Sequence, residues 1–211
     1  MEQTLLITAF TPFNGRAHNA SDAALSIIMD LAVEQLPQIQ VIGQRLPVLT
    51  EVAARRLLES IERFNPDMII CLGEARREAI TPERFAVNER SFRIPDTAGS
   101  QPQGDPVVKG APPQYETSLP ADDFAAALNE AGFAANVSED AGRYVCNEVF
   151  FAGLHHLRRA RSKVPLGFVH VPVLPKYGQD DAPGQPAEKT AEALLTGIRV
   201  WSMPSAESQQ R

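Results

Sequence analysis

The chain has 211 residues, 44% of them hydrophobic and 22% charged, with a formal net charge of −6. That length suits one medium domain with a full hydrophobic core, so residues 1–211 are expected to form a single unit. An acidic balance without a basic stripe argues against a nucleic-acid partner, and no apolar run approaches the length of a membrane span.

In chain order, Leu5–Ala9 reads as a strand that begins without a basic region or cleavage site, so no secretory signal and a cytoplasmic location are expected. A helix follows from Ser21 to about Leu36, with Ser21 as its N-cap and Pro37 as its stop. Ile39–Leu46 reads as the next strand. A helix from about Thr50 to Phe64 places Leu57, Ile61 and Phe64 on one face. Met68–Leu72 and Arg84–Phe92 read as strands, with a Pro- and Gly-rich connection from Ile94 to Pro113. A third helix spans about Ala121 to Ala131 and ends at Gly132. A strand at Ala134–Val137 and a helix from near Cys146 to near Arg159 come next. Gly167–Val171 is the last strand, Pro175–Gln185 a second long connection, Ala187–Trp201 the last helix, and about 202–211 a frayed polar tail. Strands alternating with helices indicate an α/β fold. The expectation is a three-layer α/β/α sandwich, a mostly parallel twisted sheet flanked by helices on both faces.

Cys146 is the most suggestive residue. It is one of two cysteines, set where Ser138-Glu139-Asp140-Ala141-Gly142 gives way to an apolar helical segment. A thiol there feels the positive end of the helix dipole, which favours thiolate. His170, in Phe168-Val169-His170-Val171-Pro172, could serve as its base, and Glu83, after Pro82, could fix the imidazole tautomer. Each residue alone also fits a bland role: a buried histidine, or a glutamate paired with an arginine. Cys71 lies in an apolar strand and reads as a buried hydrophobe, so two free thiols in a reducing compartment are expected. His155 and His156 are adjacent on one helix, point about 100° apart and lack zinc spacing, so no metal site is expected. Neither Gly-rich phosphate-loop pattern occurs, and Arg55-Arg56 and Arg158-Arg159 with Arg161 read as solvated helix faces.

Four blocks in order give the chain a resemblance to pyroglutamyl peptidase type I. They are Ala9-Phe10-Thr11-Pro12-Phe13-Asn14-Gly15 with Asn19; Thr81-Pro82-Glu83-Arg84 leading to Arg93-Ile94-Pro95-Asp96; Ala141-Gly142 with Val145-Cys146-Asn147; and Phe168-Val169-His170-Val171-Pro172. The resemblance implies a cysteine exopeptidase that removes N-terminal pyroglutamyl residues from peptides through a thioester, without a cofactor. It implies Cys146 as nucleophile, His170 as base and then acid, and Glu83 as the orienting carboxylate. Arg93 would stabilise an oxyanion with the Cys146 backbone N–H. Phe10, Phe13 and Asn19 would hold the ring, with Tyr144 and Val145 as walls. Asp96 matches a family position without an assigned role. A homodimer or homotetramer is implied too, with the Gln101–Tyr115 loop available for contacts. The chain departs from the family where Ala9 and Asn14 replace glycine, where Glu74 replaces glutamine, and where Arg143 replaces a smaller residue. These departures motivate one alternative, a non-catalytic or specificity-altered small-ligand-binding relative. A nucleoside-phosphorylase-like enzyme would need a phosphate site, and a redox-sensing thiol protein would need a better resolving cysteine than Cys71.

Overall fold

A computed structural model describes residues 3–179 and 184–202. Its elements in chain order are β1 (Gln3–Phe10), α1 (Ala20–Gln35), β2 (Ile39–Leu46), α2 (Val52–Phe64), β3 (Met68–Ala75) and β4 (Thr81–Pro82). The short strands β5 (Phe85–Val87), β6 (Arg90–Ser91), β7 (Gln103–Asp105) and β8 (Gln114–Glu116) follow, then α3 (Ala121–Glu130), α4 (Val145–Arg159), β9 (Leu166–Pro172) and α5 (Ala187–Ser202). The main sheet has the order β2-β1-β3-β9-β4. Its first four strands are parallel and β4 alone runs antiparallel, along β9.

Parallel strands covered on both faces need apolar side chains on both. β1 supplies Leu5, Ile7 and Ala9 to a core shared with α1, α3 and α5, and Leu6 and Phe10 to a second core shared with α2 and α4. The sheet therefore sits between two helical layers, the expected sandwich. No helix among the described residues is long and apolar enough to cross a membrane.

The four parallel strands of the main sheet and all five helices lie where the sequence placed them. Three details differ. The N-cap of α1 is Asn19, not Ser21; its Oδ1 accepts the Ser21 N–H at 2.9 Å, because Asn19 holds the extended backbone that a cap requires. The single strand expected over Arg84–Phe92 is instead two short ones, β5 paired with β8 and β6 paired with β7. Pro82 cannot donate to a ladder, and a two-residue β4 joins the sheet edge before the chain turns away. No strand forms at Ala134–Val137; that stretch makes only one isolated bridge, Ile80 with Ala135, and a second follows it, Glu83 with Ser138. The tail expected at 202–211 lies outside the described residues beyond Ser202.

Candidate active site

The site opens at the carboxyl ends of β1, β3 and β9. Sheet order reverses between β1 and β3, and such switch points leave a crevice at the strand ends. In the parallel pairing of β3 with β9, Gly73 lies opposite His170. Gly73 has no side chain, and the sulfur of Cys146 fills the space. A Cβ built on Gly73 would stand 3.0 Å from Cys146 Sγ and 2.8 Å from the Phe168 ring. The Phe168 ring in turn packs 4.9 Å from that of His170.

Glu83 arrives from the edge strand. Its backbone N–H donates to Phe168 O at 2.8 Å, which lays the residue along β9. Glu83 is fully buried, and His170 Nδ1 donates to its Oε1 across 2.6 Å. An ionised carboxylate only accepts, so the ring proton sits on Nδ1 and Nε2 keeps a free lone pair. No hydrogen bond joins His170 to Cys146 Sγ among the described residues.

Arg77 completes this cluster and the sequence reading missed it. Its Nη1 donates to the same Oε1 at 2.7 Å and also to the Thr81 hydroxyl, while Nη2 reaches Asp140 O at 3.0 Å. The one available signal was a cation six residues before Glu83, too weak to single out.

Two residues beside the cysteine fix the start of α4. Asn147 is buried; its Oδ1 accepts the Val87 N–H at 2.8 Å and its Nδ2 donates to Val87 O and Glu89 O. Glu148 accepts the Thr50 hydroxyl and the Glu51 N–H at 2.9 and 2.7 Å. The latter bond holds Glu51 at φ 62°, a strained turn into α2. Tyr144 is the N-cap of α4 and makes no side-chain cap bond, so its side chain does not take up the first N–H groups of the helix.

Electrostatics here work against the thiolate expectation. Burial pushes the Cys146 thiol up to about 12, with the charge of Glu83 acting the same way; Arg77 and the residue's own backbone N–H oppose it. Protein atoms crowd the sulfur, although the residue keeps part of its surface accessible. The helix end therefore loses to desolvation. Burial also lowers the pKa of His170 against the opposing pull of Glu83, and Arg77 lowers it further. The resting pair is a neutral thiol beside a neutral imidazole.

A pocket lined by Phe10, Phe13, Asn19, Val48, Glu74, Tyr144, Val145 and Cys146 adjoins the sulfur. All the ring-binding and wall residues expected from sequence are in it. Arg93 is not; it is exposed and its guanidinium makes no protein hydrogen bond among the described residues. Asp96 lies away from the pocket lining, where its carboxylate accepts the N–H groups of Thr50, Ala98 and Ser100, each at 2.9 Å, and so shapes the loop after Arg93. His155 binds the Tyr115 hydroxyl at 2.9 Å, nine residues along α4 from Cys146.

The departures also find physical settings. Asn14 takes φ 53°, a left-handed value that Asn tolerates better than most residues. Ala9 is buried within β1. Arg143 bridges Asp140 and Glu89. Glu74 is no free anion: one oxygen pairs with the Arg16 guanidinium and the other accepts the Ala20 N–H at 2.7 Å, at the start of α1.

Known proteins resemble this chain over nearly its whole length. The profile of the pyroglutamyl peptidase family matches residues 3–203. The chain is 37% identical to the pyrrolidone-carboxylate peptidase of Vibrio vulnificus over 98% of its own length and 94% of the relative's. It is 37% identical to that of Bacillus mycoides over 94% and 90%. The fold superposes on the crystal structure of pyroglutamyl peptidase I from Bacillus amyloliquefaciens with a TM-score of 0.88, at 32% identity, covering 96% of this chain and 97% of the other. A mutant pyrrolidone carboxyl peptidase from the hyperthermophile Pyrococcus furiosus gives 0.87 at 34% identity, covering 94% and 98%. The chain belongs to the pyroglutamyl peptidase family.

Proposed function

We propose that this cysteine peptidase, which removes N-terminal pyroglutamyl residues from peptides, does so with Cys146 as nucleophile, His170 as base and acid, and Glu83 as the carboxylate that orients the ring. The observation that carries the assignment is the bond from His170 Nδ1 to Glu83 Oε1 at 2.6 Å, which leaves Nε2 free on the strand beside the cysteine's pocket.

A pyroglutamyl ring offers two methylenes, a lactam N–H and a lactam C=O. Burying the methylenes against Phe10 and Phe13 is worth about 1.6 kcal/mol at about 0.8 per CH₂. Asn19 Oδ1 is already committed to the start of α1, so its Nδ2 is the donor left for the lactam C=O. Pairing the polar groups of the ring supplies most of the selectivity, since analogues that lack them leave buried partners unmatched.

Because both groups rest neutral, the thiol proton passes to His170 Nε2 as sulfur attacks the carbonyl carbon. Glu83 stabilises the imidazolium that forms. The oxyanion meets backbone N–H groups at the start of α4, one such donor being worth about 3 kcal/mol. Arg93, exposed beside the buried Phe92, would have to swing inward to add its charge. The imidazolium then protonates the departing amine, the C–N bond breaks and a thioester remains. Water, losing its proton to His170, attacks the thioester and releases pyroglutamate and the thiol.

We read the working enzyme as a cytoplasmic homodimer or homotetramer that needs no cofactor. Two free cysteines support the reducing compartment. The intact Glu83–His170 pair opposes a binding-only role. Cys146→Ser should fold and lose nearly all turnover of a pyroglutamyl fluorogenic amide, assayed beside prolyl and alanyl amides. Retained turnover would refute the nucleophile.

A further inference from the structure

We propose that Arg16 is a specificity-determining residue: by neutralising Glu74, it makes the pocket choose a neutral lactam ring over the protonated ring of an N-terminal proline. The inference rests on the Cys146 pocket being the acyl site.

Glu74 lines the pocket with Cys146, yet its side chain is only 4% exposed. A bare carboxylate so placed, beside the nucleophile, is what a receptor for an α-ammonium group needs. Proline fits the same space, because its ring has five members like the lactam. It differs in carrying a methylene for the lactam carbonyl and, at neutral pH, an NH₂⁺ for the neutral N–H, the ordinary α-amino pKa being about 8. Charge-assisted hydrogen bonds are about twice as strong as neutral ones, so an uncompensated Glu74 would favour the wrong ring.

The fold removes that preference in two ways. Arg16 pairs with one carboxylate oxygen, and the Ala20 N–H at the positive end of α1 occupies the other. Arg16 is itself held in place, its guanidinium lying 4.7 Å from the centre of the Tyr177 ring. It stands outside the pocket lining and so tunes Glu74 without taking up ring space. Each carboxylate oxygen keeps a second lone pair, enough to accept a lactam N–H.

The test is kcat/KM for matched pyroglutamyl and prolyl fluorogenic amides in wild type, Arg16→Gln, Arg16→Lys and the double variant Arg16→Gln with Glu74→Gln. Arg16→Gln should lower the pyroglutamyl-to-prolyl ratio by about tenfold or more, the scale of one charge-assisted bond, through a gain on the prolyl amide. Arg16→Lys keeps the cation and should keep the ratio near wild type. The double variant removes the carboxylate and should lose the prolyl gain. Arg16→Ala repeats the measurement in case glutamine disturbs the loop. An unchanged ratio in the neutral variants, or an equal change with Glu74 also replaced, would overturn the proposal. A wild type inert toward the pyroglutamyl amide would sink the underlying reading first, and this one with it.

Discussion

Arg77 offers the sharpest test of the centre. Its Nη1 and His170 Nδ1 both donate to Glu83 Oε1, at 2.7 and 2.6 Å, so the two nitrogens lie no more than about 5.3 Å apart. When the imidazole becomes a cation, the guanidinium repels it. At an effective dielectric of about 20, unit charges at that separation interact by about 3 kcal/mol. Arg77 is a quarter exposed, and solvent screens part of this. The imidazole must be unprotonated to take the thiol proton, so activity falls as pH drops through its pKa. Burial first, and Arg77 in addition, hold that pKa below the ordinary value. Arg77→Met removes the second effect, so the acid limb of kcat/KM against pH should move to higher pH, and Arg77→Lys should largely preserve its wild-type position. The same change leaves Glu83 buried with one fewer partner, its Oε2 already having none. Stability should then fall by about 3 kcal/mol, the low end for breaking a buried pair. A folded Arg77→Met enzyme whose acid limb has not moved would refute this account of the centre.

Three further outcomes follow from the geometry. Gly73→Ala should cut turnover by about a hundredfold, the scale of an ångström-sized misplacement, while thermal stability falls by no more than about 3 kcal/mol; near-normal kcat would mean that Sγ and Phe168 move aside freely. Asn147→Ala removes three buried hydrogen bonds and should lower unfolding free energy by about 3 kcal/mol in denaturant titration; an unchanged midpoint would show that α4 is held otherwise. Alkylation of Cys146 by iodoacetamide should outpace that of the fully buried Cys71 and keep rising with pH across the neutral and alkaline range, as a raised thiol pKa requires. A rate plateau near pH 6 would reveal a preformed thiolate instead.

The parts of the fold legible in the sequence are those where one physical rule dominates. Met68–Leu72 and Leu166–Pro172 are apolar runs that only a doubly covered strand can bury. α3 announces itself by Phe124 and Leu128 in phase, with Gly132 just past its end. The sequence misled where tertiary partners decide. Ala134–Val137 has strand-like residues, but Asn129 occupies both backbone groups of Ala135 through its side chain, at 2.8 and 3.0 Å, and no ladder forms. The thiolate expectation left out desolvation, because position on a helix can be read from spacing whereas burial cannot. Cys146, His170, Glu83 and the residues proposed to bind the ring could be singled out through the four blocks. Arg77 and Arg16 were not, because each finds its carboxylate by a path that local pattern does not encode.

The way Glu83 is attached divides the centre into two bodies. The carboxylate and the imidazole are held as one piece, since the amide of Glu83 is anchored to the strand that carries His170. Sulfur rides on a separate body, a helix moored through Asn147 and Glu148 to other segments. The joint between them runs between Sγ and Nε2, where no hydrogen bond ties one to the other. Motion of α4 would thus retune the sulfur-to-nitrogen gap without loosening the carboxylate's grip on the ring, and the Glu83 amide should exchange with solvent in step with β9 rather than with the helix.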